Sequence, residues 1–225
     1  MASAEEPQVP LMDGDVKRYV AVQNAQLAER IVFLFEGVNP DSARRVVQQL
    51  LYLSSLDSTK DITLYLDSPG GTVTDLWAIY DTMQQIPCDV RTICIGQAAS
   101  AAAILLAAGA PGKRVMTENS RVLIHQPSAG ASGQETMLRG HAIETTRMRK
   151  QLEVAFAAHT GQPVARVHRD MERDTILTAT QAFRYGIIDV IQGPHKAIQG
   201  PNRPVFPLHG KAGGPQNNVH QMPEA

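Results

Sequence analysis

Short runs rich in Val, Ile and Leu alternate along the chain with segments whose apolar residues recur every three or four positions. Residues 31–35, 62–66, 90–95, 121–125 and 187–191 are runs of strand length bounded by polar or turn residues. Between them, Val46, Val47, Leu50 and Leu51 share one helical face, with Asp41 or Ser42 placed to cap it. Val73, Leu76, Tyr80 and Met83 repeat the pattern, and residues 99–108 form a small, apolar helical stretch. Residues 134–158 predict a long polar helix with one stripe, Met148, Leu152, Ala155 and Phe156, and a short helix follows Gln162. Thr178 and Gln181 have capping-box spacing, and Gly186 suits the stop of the brief helix they open. Strands alternating with helices predict an α/β domain with a largely parallel sheet.

The ends read differently. Residues 1–15 are rich in Pro, Glu and small residues, and 193–225 are dense in Pro, Gly and Asn. Such segments bury too little apolar surface to offset ordering entropy. The expected layout is a flexible segment over 1–15, a working domain over 16–192 and a disordered tail over 193–225. With a net charge of −1, nothing points to nucleic acid. Cys88 and Cys94 lack metal-ligand spacing and read as reduced thiols. Residues 92–110 approach membrane-spanning length, but they are mostly alanine and are interrupted by Gly96, Gln97, Ser100 and Gly109. They read better as strand, turn and buried helix. With no signal-peptide pattern, the expectation is a cytoplasmic protein without a membrane partner.

Hydrolysis through a serine needs an activated hydroxyl, a base with a group to orient it, and backbone N–H donors for the oxyanion. Ser100 lies at a strand-to-helix junction among small residues, where free N–H groups and the helix dipole favour negative charge. The rival reading is a plain N-cap serine. His125 ends an apolar strand, where α/β folds place active groups, although it could simply terminate that strand. Gly70-Gly71, after Ser68-Pro69, lets the main chain come close to a substrate, with the Gly71 and Ala101 N–H groups as a two-donor hole. A simple Pro-Gly turn is the alternative. For the third group, spacing leaves Asp170, Asp174 and Asp189 equally open.

Four segments carry a resemblance: Asp67-Ser68-Pro69-Gly70-Gly71, Gly96-Gln97-Ala98-Ala99-Ser100, Ile124-His125-Gln126-Pro127 and Glu172-Arg173-Asp174. In this order and spacing, over roughly 30–191, they resemble the signature segments of the caseinolytic (Clp) protease proteolytic subunits. The resemblance implies Ser100, His125 and Asp174 as catalytic triad and Gly71 and Ala101 as oxyanion hole. It implies a spiral Clp-protease/crotonase-like α/β domain with a projecting helical handle, which 134–158 would supply. Gly70, Ser128, Ala129 and Gly130 would bind substrate, the stretch 128–132 being strand-like and close to the opposite ring. Glu172 and Arg173 would contact that ring. Further implications are stacked heptameric rings, possibly with a paralogous subunit, a Clp-family AAA+ unfoldase as partner and unfolded polypeptides as substrates. No metal or cofactor is implied, since ATP is used only by the partner ATPase.

Three features depart from the family pattern. The N-terminal pore segment is not recognisable in 1–30. Thr63, Gln85 and Val115 stand where the family has aromatics for ATPase docking, although Tyr65 remains. Ala101-Ala102-Ala103 follow the serine where Met and a small residue are usual. A mainly structural ring subunit in a mixed complex is therefore the alternative reading. An acyl-CoA hydratase or isomerase on the same general fold is a second rival.

Overall fold

The computed structural model describes residues 7–13 and 16–193. A two-stranded antiparallel ribbon, β1 (Gln8–Asp13) and β2 (Val16–Ala21), leads into a short helix, α1 (Val22–Ala28). The sequence reading left 1–15 as an irregular segment, yet residues 8–13 pair as a strand. The reason is the ladder itself, which supplies backbone partners where composition supplies no core. Residues 1–6, 14–15 and the tail from 194 onward lie outside the described residues.

The main sheet has seven strands: β3 (Ile31–Leu34), β4 (Ile62–Ser68), β5 (Val90–Ala99), β6 (Arg114–Thr117), β7 (Arg121–Ile124), β8 (Thr175–Thr178) and β9 (Val190–Gln192). Its order is β3-β4-β5-β6-β9, parallel throughout, with β7 adding to β5 and β8 pairing antiparallel to β7. On β4 the burial alternates, so Ile62, Leu64, Leu66 and Ser68 face the core while Thr63 and Tyr65 face the other side.

Five helices flank the middle strands in sequence: α2 (Pro40–Leu56), α3 (Val73–Gln85), α4 (Ala101–Ala107), α5 (Glu135–Thr160) and α6 (Val164–Asp170), followed by α7 (Ala179–Tyr185). Helix α2 starts earlier than its sequence suggests. Asn39, not Asp41 or Ser42, is the cap: its side chain accepts from the Asp41 and Ser42 N–H groups at 3.0 Å each, and Ser42 Oγ accepts from the Asn39 N–H. Pro40 fits the first helical turn because its missing N–H is not needed there. The capping box of α7 is formed by Thr178 and Gln181 as expected. Helix α5 is exposed on nearly every residue from 135 to 147 and becomes a core helix only further on, at Leu152, Phe156 and Ala157. No helix among the described residues is long and apolar enough to cross a membrane.

The core runs from Val32 and Leu34 through α2, α3 and α4 to Phe156 and Ile187. Helix α4 is buried along its whole length. Both cysteines are free and buried. Burial pushes the Cys94 thiol up to about 12, so it supplies no thiolate nucleophile at neutral pH.

Candidate active site

The site begins with a fork in β5. Leu66 pairs with Cys94, but the next match is Ser68 with Ala98, so β5 carries extra residues around Gly96. Asp67 fills the irregularity, its Oδ1 accepting from the Gln97 N–H at 3.1 Å. Before the bend, residues 92–94 pair with 114–116 of β6. After it, 97–99 pair with 121–123 of β7. The bend therefore sets the end of β5 beside the end of β7.

Ser100 follows directly on β5. Its N–H donates to the Leu123 carbonyl at 2.8 Å, and its backbone sits at φ 54°, ψ −119°. Among the described non-glycine residues, only Arg30 and Ser100 have positive φ. Such a conformation costs about 1–3 kcal/mol. Burying Ile104, Leu105 and Leu106 of α4 contributes about 2 kcal/mol each, which outweighs the strain and holds the turn. Ser100 occupies the N-cap position of α4, but its side chain makes no capping hydrogen bond. The strained residue borders the cleft described below, although the sequence lacks the Gly-x-Ser-x-Gly signature.

Gly70 lies against this turn at φ +86°. A Cβ there would stand 2.5 Å from the Ala99 carbonyl oxygen, 2.7 Å from Ser100 Cβ and 3.0 Å from the Ala101 nitrogen. Gly71 is pressed on its other side against Val38, whose carbonyl oxygen would be 2.0 Å from an added Cβ. The Val38 N–H donates to Gly70 O at 2.8 Å, and the Thr72 N–H donates to Val38 O at 2.9 Å. Among the described residues the Gly71 and Ala101 N–H groups donate no hydrogen bond. Both remain available to a ligand oxygen.

His125 follows β7. The β7–β8 ladder pairs Ile124 with Thr175, and the Gln126 N–H donates to Met171 O at 2.6 Å. His125 and the 172–174 turn lie between these two ties. The ladder ends at the Ile124–Thr175 pair, so His125 leaves β7 and Asp174 enters β8 at the same end of the two strands. Three adjacent strands, β5, β7 and β8, thus bring Ser100, His125 and Asp174 to the same end of the sheet. No hydrogen bond joins the three side chains in the single subunit. Catalytic hydrogen bonds are often long in unliganded sites and tighten with substrate.

The other two aspartates are engaged elsewhere. Asp170 accepts from the Tyr185 hydroxyl at 3.0 Å and pairs with Arg166. Asp189 forms a two-pronged pair with the buried Arg114, at 2.8 and 2.5 Å, while Arg114 Nη1 also donates to the carbonyls of His159 and Gly186. The Arg114 guanidinium holds the Asp189 carboxyl below its ordinary value against the opposing effect of its burial.

A cleft of about 520 Å³ opens at Ser100 and His125, walled by Leu76, Ile104, Met148, Leu152 and Met171. No carboxylate lines it. Gly71 and Ser128 border the cleft, whereas Gly70 lies behind the nucleophile turn, and Ala129 and Gly130 are exposed without lining it. Residues 125–134 have no regular structure in the single chain, so the expected strand-like stretch at 128–132 is not formed. Glu172 and Arg173 are both exposed. Glu172 is paired within its own chain, to Arg149 at 2.6 Å, and that guanidinium lowers its carboxyl. The Arg173 guanidinium makes no hydrogen bond or ion pair among the described residues.

The sequence reading passed over the polar group behind the base. Arg149 donates to Gln126 Oε1, Glu153 Oε1 and Glu172 Oε2, and Glu153 is buried. A signal was present in the i, i+4 spacing of Arg149 and Glu153 beside the apolar stripe of α5.

Comparison with known proteins gives the same region. The Clp protease family model matches residues 14–195. The chain is 54% identical over 167 residues, 74% of its length and 76% of the relative, to the ATP-dependent Clp protease proteolytic subunit 1 of Rhodococcus jostii. Two differently numbered subunits of one organism, Frankia casuarinae, also match. Its proteolytic subunit 2 is 53% identical over 73% of this chain and 76% of its own length. Its subunit 3 is 52% identical over 77% and 81% respectively.

Proposed function

The chain belongs to the Clp protease family, a family of serine peptidases, and from that premise we propose that Ser100, His125 and Asp174 carry its chemistry. Ser100 Oγ attacks the scissile carbonyl carbon while His125 takes the hydroxyl proton. The carbonyl π electrons move to oxygen, and the Gly71 and Ala101 N–H groups stabilise that oxyanion. Collapse of the tetrahedral adduct breaks the C–N bond, and His125 returns its proton to the leaving amine. Water, deprotonated by His125, then releases the acyl group and restores Ser100. Asp174 holds the imidazole in orientation.

The observation that supports this most is the common end of β5, β7 and β8, with a strained serine backbone beside two unused N–H groups. The absence of a carboxylate from the cleft wall disfavours the hydratase or isomerase reading. The test is labelling by a fluorophosphonate, read by intact mass. Wild-type protein takes up one adduct and Ser100→Ala takes up none; labelling of the variant would refute the assignment.

The apolar cleft suits a peptide side chain without charge. The subunit works in the cytoplasm as part of stacked heptameric rings fed by an AAA+ unfoldase. Relatives with different subunit numbers in one organism support a mixed ring with a paralogue. The replacements at Thr63 and Gln85 support the same reading, because they remove apolar anchor area from the outer face.

A further inference from the structure

One turn of α5 faces two ways. Met148 and Leu152 point into the cleft. Arg149, one residue on from Met148, faces the segments that carry His125 and Asp174, and Glu153, one residue on from Leu152, lies behind it. Arg149 Nη1 donates to Gln126 Oε1 at 2.8 Å, and Gln126 is the neighbour of His125. Arg149 Nη2 donates to Glu172 Oε2 at 2.6 Å, two residues before Asp174. Gln126 Nε2 donates in turn to the Glu172 carbonyl at 3.0 Å, which joins the two loops directly. The guanidinium is anchored from behind by Glu153, which is 4% exposed, through Nε at 2.7 Å. His168 Nδ1 meets the same Glu153 oxygen at 2.8 Å, fixing the pair against α6.

We infer that Arg149 is a positioning residue for hydrolysis: it clamps the base loop and the aspartate loop to α5, and so sets the approach of His125 to Asp174. The inference rests on the triad reading above. His125 and Asp174 have no side-chain hydrogen bond of their own in the single subunit, so their spacing depends on what grips the adjacent residues. Arg149 is the one guanidinium among the described residues that donates to side chains on both loops. A lysine in its place keeps the charge but cannot present the planar fork that reaches three acceptors at once.

The experiment is a labelling time course with a fluorophosphonate over a range of concentrations, which separates the maximal rate, kinact, from the half-saturating concentration, KI. Removing Arg149 alone would leave Glu153 buried without its main partner, so the loss variant is Arg149→Met with Glu153→Leu. The expected result is a fall of about tenfold in kinact with KI within twofold of wild type. Arg149→Lys should recover part of that loss, to about threefold below wild type. Sedimentation should give all of these proteins the same assembled mass. A kinact unchanged in both variants overturns the inference. So does a fall that follows loss of assembled mass, which would make Arg149 an assembly residue. Ser100→Ala runs alongside. If it still takes up label, the triad reading itself has failed; if it does not, a wild-type kinact in the Arg149 variants counts against the clamp alone.

Discussion

From Ala98 to Ala108 every residue except Ser100 is buried, whereas from His125 to Gln134 none is. The two sides of one cleft are thus held by different means. Ser100 is fixed by packing: a fully buried helix behind it, Gly70 and Gly71 wedged at its side, and a backbone bond to Leu123. The segments that carry His125 and Asp174 are tied by polar contacts of their neighbours, through Gln126, Glu172 and Arg149. Packing inside one chain does not depend on neighbours. Exposed polar ties do, because a second subunit can add to them or compete for them. On the proposed assignment, serine geometry would be a property of the folded chain, and His125 geometry would be open to the state of assembly.

The comparison can be broken at several points. Ser100→Ala should lower peptide hydrolysis by on the order of 10⁴-fold or more, while the thermal midpoint stays near wild type, because alanine fits the small-residue surroundings. A large fall in the midpoint would mean that the hydroxyl is structural. Gly70→Ala attacks the packed side without removing any reactive group. The added Cβ cannot coexist with the Ala99 carbonyl and Ser100 Cβ at their present positions. Displacing the neighbouring N–H donors should cost about 10²-fold in kcat. This loss should persist whatever the oligomeric state, and recovery of activity on forced assembly would contradict the division drawn here.

On the polar side the outcome should depend on assembly. Arg173→Ala removes an exposed guanidinium with no hydrogen bond or ion pair among the described residues, and should lower activity by about tenfold together with the fraction of high-mass species in sedimentation. Full activity of a fully assembled variant would end the proposed coupling. The smallest effect concerns the outer face. Phe33 and Tyr65 stack there at 5.5 Å, beside the half-buried Thr63 and with Gln85 exposed on α3. Aromatics at Thr63 and Gln85 should raise unfoldase binding a few-fold, at about 1 kcal/mol per contact. Val115 is not a useful third site, since it is 2% exposed and a larger side chain there would overpack the sheet. Tight unfoldase binding by unmodified rings of this chain alone would show that the lost aromatics do not limit docking.

The same division explains what the sequence disclosed. Ser100 and His125 both end apolar strand segments, 90–99 and 121–124, that are long enough to be read from the sequence. Strand β8 escaped because its four residues run straight into the Thr178 cap, and local pattern favoured the helix. Without β8 there was no register across from His125, so Asp174 could not be separated from Asp170 and Asp189 by spacing; family resemblance singled it out. Strand β6 escaped for a related reason: it is short, begins with the buried Arg114, and owes its place to pairing with β5 and β9. The β1–β2 ribbon did carry a local signal, the Gly14-Asp15 dipeptide between two strand-like segments, but its Pro and acidic surroundings obscured it.

The seven residues of α4 have a further consequence for how the subunit is made. A helix of two turns has almost no stability in water by itself. Its alanines, Ile104, Leu105 and Leu106 become ordered only when α3, α5 and the sheet close around them. The positive-φ backbone at Ser100 therefore depends on the closing of the tertiary fold and not on local sequence alone. If Ser100 is the nucleophile proposed above, its reactive geometry forms only with the completed core.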